Sequence, residues 1–234
     1  MYKIFIDCGH NYSHHDTGSQ GNGLVEQIVT FNVGKLLADK LKAVGIETKL
    51  SRTFLQENIG LTTAGSLSER AEMANNYGAD YFISLHCDGF ENSTAKGGHC
   101  IIFKKGTTAE KLAEAIYPKL PDGRSEKIDV RNLTVLRKTK MPAVLVEMGF
   151  VSNAEDAQLL KQPEKMANAI FEGICDYLNI NPTKEVTDVN DIVWELSQRN
   201  IITDKALWLK KLEEDTNTYH LARKFINYLI EKGI

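Results

Sequence analysis

The stretch Ala143-Val144-Leu145-Val146-Glu147-Met148-Gly149-Phe150 begins with four apolar residues in an unbroken run. Such a run suits a strand buried on both faces, and strands of that kind belong to parallel sheets covered by helices on either side. The residues around it agree. Ahead of it, strand patterns lie over 2–6, 46–50, 81–85, 99–103 and 130–136. Between them an amphipathic helix carries Val25, Val29, Leu36, Leu37, Leu41 and Val44 at helical spacing and stops at Gly45. The capping box Ser66-Leu67-Ser68-Glu69 opens a second helix that runs to Tyr77 and ends at Gly78. A third helix spans 108–120 and is closed by Pro121. After the apolar run come helices over 154–161 and 163–178, the latter with proline at its first position. The expected fold is three-layer α/β, a six-stranded, mostly parallel twisted sheet with helices on both faces.

This domain is expected to fill residues 1–179, followed by a polar linker over 180–190 and a small all-α module over 191–234. The linker reading rests on Asn181-Pro182-Thr183 and the acidic residues after it. Helices over 192–199, 205–214 and 219–231 are expected to share a miniature core. That core would draw on Trp194, Leu196, Ile201, Ile202, Leu207, Trp208, Leu209, Leu212, Phe225, Ile226, Leu229 and Ile230. A module of this size sits near the lower limit for folding alone.

The 234-residue chain is 42% hydrophobic and 25% charged, with a formal net charge of −3. No basic stripe points to nucleic acid, and no apolar run reaches the length of a membrane span. Cys8, Cys87, Cys100 and Cys175 show no CxxC spacing. They read as small buried residues, with thiolate ligation by Cys8 or Cys87 as the competing reading.

Chemistry concentrates where strands end. His10 leaves the first strand, His86 ends the strand over 81–85, and Glu147 ends the apolar run. Glu26 sits in the first turn of the first long helix. In an open α/β sheet the loops at the carboxyl ends of adjacent strands converge on one crevice. Two histidines and a glutamate can hold Zn²⁺ with a position left for water, and a second glutamate can take that water's proton. Each residue also has a plainer explanation. A helix dipole favours Glu26 without any metal, and a histidine beside a glycine is often a loop residue. Glu147 is harder to dismiss, because an unpaired carboxylate in an apolar strand is costly. His14, His15 and Asp16 read as solvated loop residues, with extra metal ligation as the competing reading, His99 as structural, and His220 as part of the helical module.

Five ordered blocks resemble the zinc-dependent N-acetylmuramoyl-L-alanine amidases of bacterial cell-wall hydrolases and phage endolysins. They are Ile6-Asp7-Cys8-Gly9-His10, Gly23-Leu24-Val25-Glu26, Leu67-Ser68-Glu69-Arg70-Ala71-Glu72-Met73-Ala74-Asn75, Ala79-Asp80-Tyr81-Phe82-Ile83-Ser84-Leu85-His86, and the run from Val135 to Asn153. The resemblance implies that His10, Glu26 and His86 bind zinc, that Glu147 is catalytic, and that the substrate is the lactyl–L-alanine amide of peptidoglycan. Two departures bear on the substrate groove and not on the ligands: Cys8 stands where the family usually has proline, and Asp88 where asparagine is common.

Without the resemblance, the same residues would serve a zinc peptidase cutting the stem peptide, and a non-catalytic wall-binding protein is the reading from another class. The N-terminus starts at once as a strand with no apolar h-region, which reads as synthesis in the cytoplasm without a signal peptide. Action on the wall would then follow release, by holin-type opening of the membrane or by lysis, and a phage endolysin is the favoured setting. The C-terminal module is read in two ways, as an anchor to a secondary wall polymer or as a helical cap that dimerises the chain or covers its core.

Overall fold

The computed structural model describes residues 1–89, 94–121, 128–181 and 189–232. They divide into two compact units, Met1–Ile180 and Asn181–Ile234.

The first unit is built on a six-stranded sheet. In chain order its strands are β1 (Lys3–Cys8), β4 (Glu47–Leu50), β5 (Tyr81–Asp88), β6 (His99–Ile102), β7 (Ile128–Val130) and β8 (Ala143–Phe150), while β2 (Gln20–Gly21) and β3 (Leu24–Val25) form a separate hairpin. Across the sheet the order is β4-β1-β5-β8-β6-β7. The four strands from β4 to β8 run parallel, whereas β6 pairs antiparallel with β8, and β7 is parallel to β6. The sheet is therefore mixed, with its parallel part around the strands that carry the chemistry.

Alternation sorts the strand residues onto two faces. Ile4, Ile6, Ile83, Leu85, Val144 and Val146 enter a core shared with α1 (Glu26–Ala43), α3 (Thr108–Ile116) and α6 (Pro163–Leu178). Phe5, Phe82, Ala143 and Leu145 enter the opposite core with α2 (Thr63–Tyr77) and α4 (Thr134–Lys138). This is the expected three-layer arrangement. A further helix, α5 (Ala154–Leu160), follows β8, and Asn153 caps it by accepting from the amides of Glu155 and Asp156.

Three local expectations are corrected. The alternating stretch 130–136 is not one strand: β7 stops at Val130 and the chain turns into α4. Val135 and Leu136 are adjacent, yet both are buried in the α2-side core, which a single helical turn permits and a strand does not. The second helix begins at Thr63, with Thr62 accepting from the Gly65 amide as its cap. Ser66 lies one turn inside and is buried, so the capping box does not form. Finally, β5 and β8 run past His86 and Glu147, so both residues lie within strands, short of their ends.

The second unit holds α7 (Val189–Gln198), α8 (Lys205–Glu214) and α9 (Thr216–Lys232). Its core is Ile192, Val193, Leu196, Ile202, Leu212, Ile226 and Leu229. Trp194, Ile201, Leu207 and Phe225, expected inside, are exposed. Each helix buries one narrow stripe, leaving its other apolar residues outside. Most of the linker expected over 180–190 lies outside the described residues. No described helix is long and apolar enough to cross a membrane.

Candidate metal centre

His10, Glu26 and His86 converge from three different elements. His86 stands on β5, opposite Glu147 of β8 in parallel register. Its neighbour across the other edge is the chain just beyond β1, where the Gly9 amide donates to the Leu85 carbonyl at 3.0 Å. A Cβ at Gly9 would lie 2.5 Å from the His86 ring, so only glycine lets β1 pass the imidazole this closely. The chain then turns at His10, in the left-handed region at φ 65°. Glu26 is brought in by the β2–β3 hairpin, whose Asn22-Gly23 turn has positive φ at both residues. Glu26 is the first residue of α1, and its own amide donates to the Ser19 carbonyl at 3.0 Å.

Three donor atoms form a nearly equilateral triangle. His10 Nε2 lies 3.0 Å from Glu26 Oε1, His86 Nδ1 lies 3.1 Å from the same oxygen, and the two nitrogens are 3.1 Å apart. A proton between any two of them leaves the third facing a lone pair, whereas one cation satisfies all three. Tetrahedral zinc with bonds of ~2.0–2.1 Å holds its ligand atoms only slightly farther apart, about 3.3 Å. The set therefore fits Zn²⁺ in chemistry and spacing, with a side left open to the cleft. Each oxygen of Glu26 is also held by the backbone: the Cys87 amide donates to Oε1 at 2.9 Å and the Ser19 amide to Oε2 at 2.8 Å. Burial would raise the Glu26 carboxyl, but the two imidazoles hold it well below the usual carboxylate range. Burial would lower His10, yet Asp16 and Glu26 raise it to about 10.

Glu147 lines the same cleft, a cavity of about 370 Å³ that Thr17, Ser19 and Asp88 also border. Its Oε2 is buried and makes no hydrogen bond within the described structure. Burial, followed by the charges of Asp88 and Glu26, pushes its carboxyl well above the ordinary value. A buried carboxyl with a raised affinity for its proton, beside an open position, can accept and return a proton. Past Glu147 the register slips: β8 uses one more residue than β5 to reach Phe150, and Gly149 takes φ 144° there. This bulge, a device common next to active sites, bends β8 away just after the carboxylate.

All four residues singled out in the sequence thus come together. Cys8 and Cys87 do not join them: both are buried, and burial pushes Cys8 up to about 12 and Cys87 well above its ordinary value. Cys8 packs where a Cβ on Gly34 of α1 would lie 2.5 Å from its sulfur. His99 is buried in β6 between Asp88 at 3.6 Å and Asp129 at 3.5 Å, in keeping with a structural role. His14 is exposed as expected, but His15 Nε2 lies 3.0 Å from the Gly60 carbonyl, and Asp16 faces His10 Nδ1 at 3.4 Å. The solvated reading fails for these two.

Two fully buried arginines have roles that no sequence motif assigned to them. Arg70 on α2 donates to Asp7 Oδ1 at 2.7 Å and to the carbonyls of Cys8 and His10 at 2.8 and 2.7 Å. Arg52 donates to the carbonyls of Gln27 at 2.7 Å and Leu55 at 3.0 Å. The available signal was helical: Arg70 shares a stripe with Ser66 and Ala74, and a cation on a buried stripe demands partners.

Comparison with known proteins supplies the family. A family model described as N-acetylmuramoyl-L-alanine amidase matches residues 4–176. The N-acetylmuramoyl-L-alanine amidase CwlM of Bacillus licheniformis is 38% identical over 191 residues, covering 77% of this chain and 70% of that protein. LytC of Bacillus subtilis, an amidase of the same description, is 36% identical over 182 residues, covering 74% of this chain. The match spans only about a third of LytC, 35% of its length. Among solved structures, the catalytic domain of the CD27L endolysin targeting Clostridia difficile superposes with a TM-score of 0.66 at 25% identity, covering 77% of this chain and 99% of that one. On the matched span and these identities, the chain belongs to the N-acetylmuramoyl-L-alanine amidase family.

Proposed function

We propose that the Met1–Ile180 unit hydrolyses the amide between the lactyl group of N-acetylmuramic acid and L-alanine in peptidoglycan, with zinc as cofactor. The observation that carries the reading is the triangle of His10 Nε2, Glu26 Oε1 and His86 Nδ1, all within 3.1 Å of one another, with Glu147 bordering the same cleft. Family membership selects the lactyl amide from the amides that such a centre is able to cut.

His10, Glu26 and His86 are the ligands in this reading. Bound there, zinc supplies a Lewis acid and a water acidified from ~16 toward ~7. Glu147 draws the proton from the attacking water and returns it to the departing L-alanine nitrogen, so the amine leaves neutral. A cation held by the neighbouring triangle would favour the ionised form of Glu147, the form that acts as base. Asp88 and Ser19 border the same cleft, and in this reading they meet the substrate's polar groups.

The biological setting we infer is that of an endolysin, supported by the likeness to the CD27L catalytic domain. In this reading the helical unit Asn181–Ile234 serves the same wall, as an anchor to a wall polymer or as a dimerising element. Amine release from purified walls, measured before chelator treatment, after it, and after zinc is restored, tests the cofactor. Activity abolished by the chelator and recovered with zinc is the expected pattern. Undiminished activity after complete metal removal overturns the metal-dependent mechanism.

A further inference from the structure

His10 is the ligand whose position the sheet does not set. His86 is fixed by the β5 ladder and Glu26 by the first turn of α1, but His10 sits past the last ladder bond at φ 65°. A non-glycine residue is strained there and persists only where its surroundings impose it. The two imidazoles also offer opposite atoms to the triangle, Nε2 from His10 and Nδ1 from His86. A neutral imidazole has one N–H and one lone pair, so the two rings need opposite tautomers.

We propose that Asp16 is the positioning residue of the metal centre: its carboxylate takes the Nδ1 edge of His10 and thereby commits Nε2 to the ligand triangle. Asp16 Oδ1 lies 3.4 Å from Nδ1 at ion-pair distance, and this buried nitrogen makes no hydrogen bond within the described structure, so Asp16 is the acceptor at hand. The other oxygen of Asp16 accepts from Ser66 Oγ at 2.6 Å, and Ser66 Oγ accepts from Arg70 Nε at 3.1 Å. Arg70 Nη2 in turn donates to the His10 carbonyl at 2.7 Å. Ser66 and Arg70 of α2 thus tie down both the carboxylate that faces the His10 ring and the His10 backbone. Carboxylate partners of metal-bound histidines fix the tautomer and ring orientation, and their loss typically weakens metal binding 10–100-fold.

The inference rests on the zinc reading of the centre, and its test separates the two. Zinc affinity of the full chain is measured by competition with a chromophoric chelator for wild type, Asp16→Asn, Asp16→Glu and Ser66→Ala. The ring nitrogens of His10 are followed by ¹⁵N NMR in the zinc-loaded protein. Asp16→Asn is expected to weaken zinc about 10–100-fold and to shift the His10 ring signals, with Asp16→Glu recovering part of the affinity and Ser66→Ala losing less. Wild type is expected to carry its His10 proton on Nδ1. If Asp16→Asn fails to fold, the wild-type tautomer and Ser66→Ala decide. A His10 proton on Nε2, or unchanged affinity and ring signals in Asp16→Asn, overturns the proposal, as does a wild type that binds no zinc. Zinc binding that depends on Asp16 in a protein releasing no amine from walls would instead sustain the positioning role and overturn the amidase reading.

Discussion

His86 and Glu147 are register partners on adjacent parallel strands, so their side chains leave the same face of the sheet side by side. A metal ligand and a proton carrier are thereby held in fixed relation by the backbone ladder of β5 and β8, two largely buried strands at the centre of the sheet.

From this arrangement Glu147→Gln should lower kcat by about 10²–10⁴-fold with zinc content unchanged. The substitution removes a buried carboxyl whose oxygen lacks a hydrogen bond, so the melting temperature should hold or rise. Parallel measurements of amine release, bound metal and thermal unfolding check this. Loss of zinc from the variant would make Glu147 a ligand and not a proton carrier.

Gly9 is the narrowest point of the site. An alanine methyl would overlap the His86 ring at 2.5 Å and the Leu85 carbonyl at 2.4 Å. Gly9→Ala should therefore lose zinc affinity and activity together, whereas Gly45→Ala, at a turn with open space around it, should affect stability alone. Metal titration of the two variants distinguishes them.

The buried Asp7–Arg70 pair predicts an acid limit to stability. Burial alone would raise the Asp7 carboxyl, but Arg70, with His86 and Ser84, holds it below its ordinary value. A depressed carboxyl contributes stability above its unfolded value of ~3.9, and that contribution disappears as pH falls through the folded value. Urea unfolding should thus show stability falling below about pH 4, and Asp7→Asn should shed this share of the acid dependence. Removing the partner, as in Arg70→Ala, leaves a buried charge uncompensated and should cost about 3–5 kcal/mol.

Much of the fold was legible because its signals are local. The run Ala143–Val146 declares a doubly buried strand by composition, and Gly45 and Gly78 stop their helices by conformation. What escaped depends on distant partners. Ser66 resembles a cap in its own window, yet it is buried because Asp16, fifty positions earlier, meets it. Asp16 itself looks like any polar loop residue until α2 packs behind it. The stretch around Val135 misled because a five-residue helix is too short to display its period. The antiparallel placement of β6 has no local signature at all. The ligands were found because they adjoin strand ends and a helix start, the positions where such a sheet gathers its chemistry.

Removing the Asn181–Ile234 unit should leave the first unit folded, since each has its own core. The shortened chain should cut soluble wall fragments as well as the full chain does but sediment less with intact walls. Equal sedimentation together with an unchanged oligomeric state would deprive the helical unit of both proposed roles.

The most direct test is to digest purified peptidoglycan with the protein, label the newly exposed amino groups and identify them. New N-terminal L-alanine without new reducing sugar ends is the predicted result. A different new N-terminus would contradict the account and make the same centre that of a peptidase.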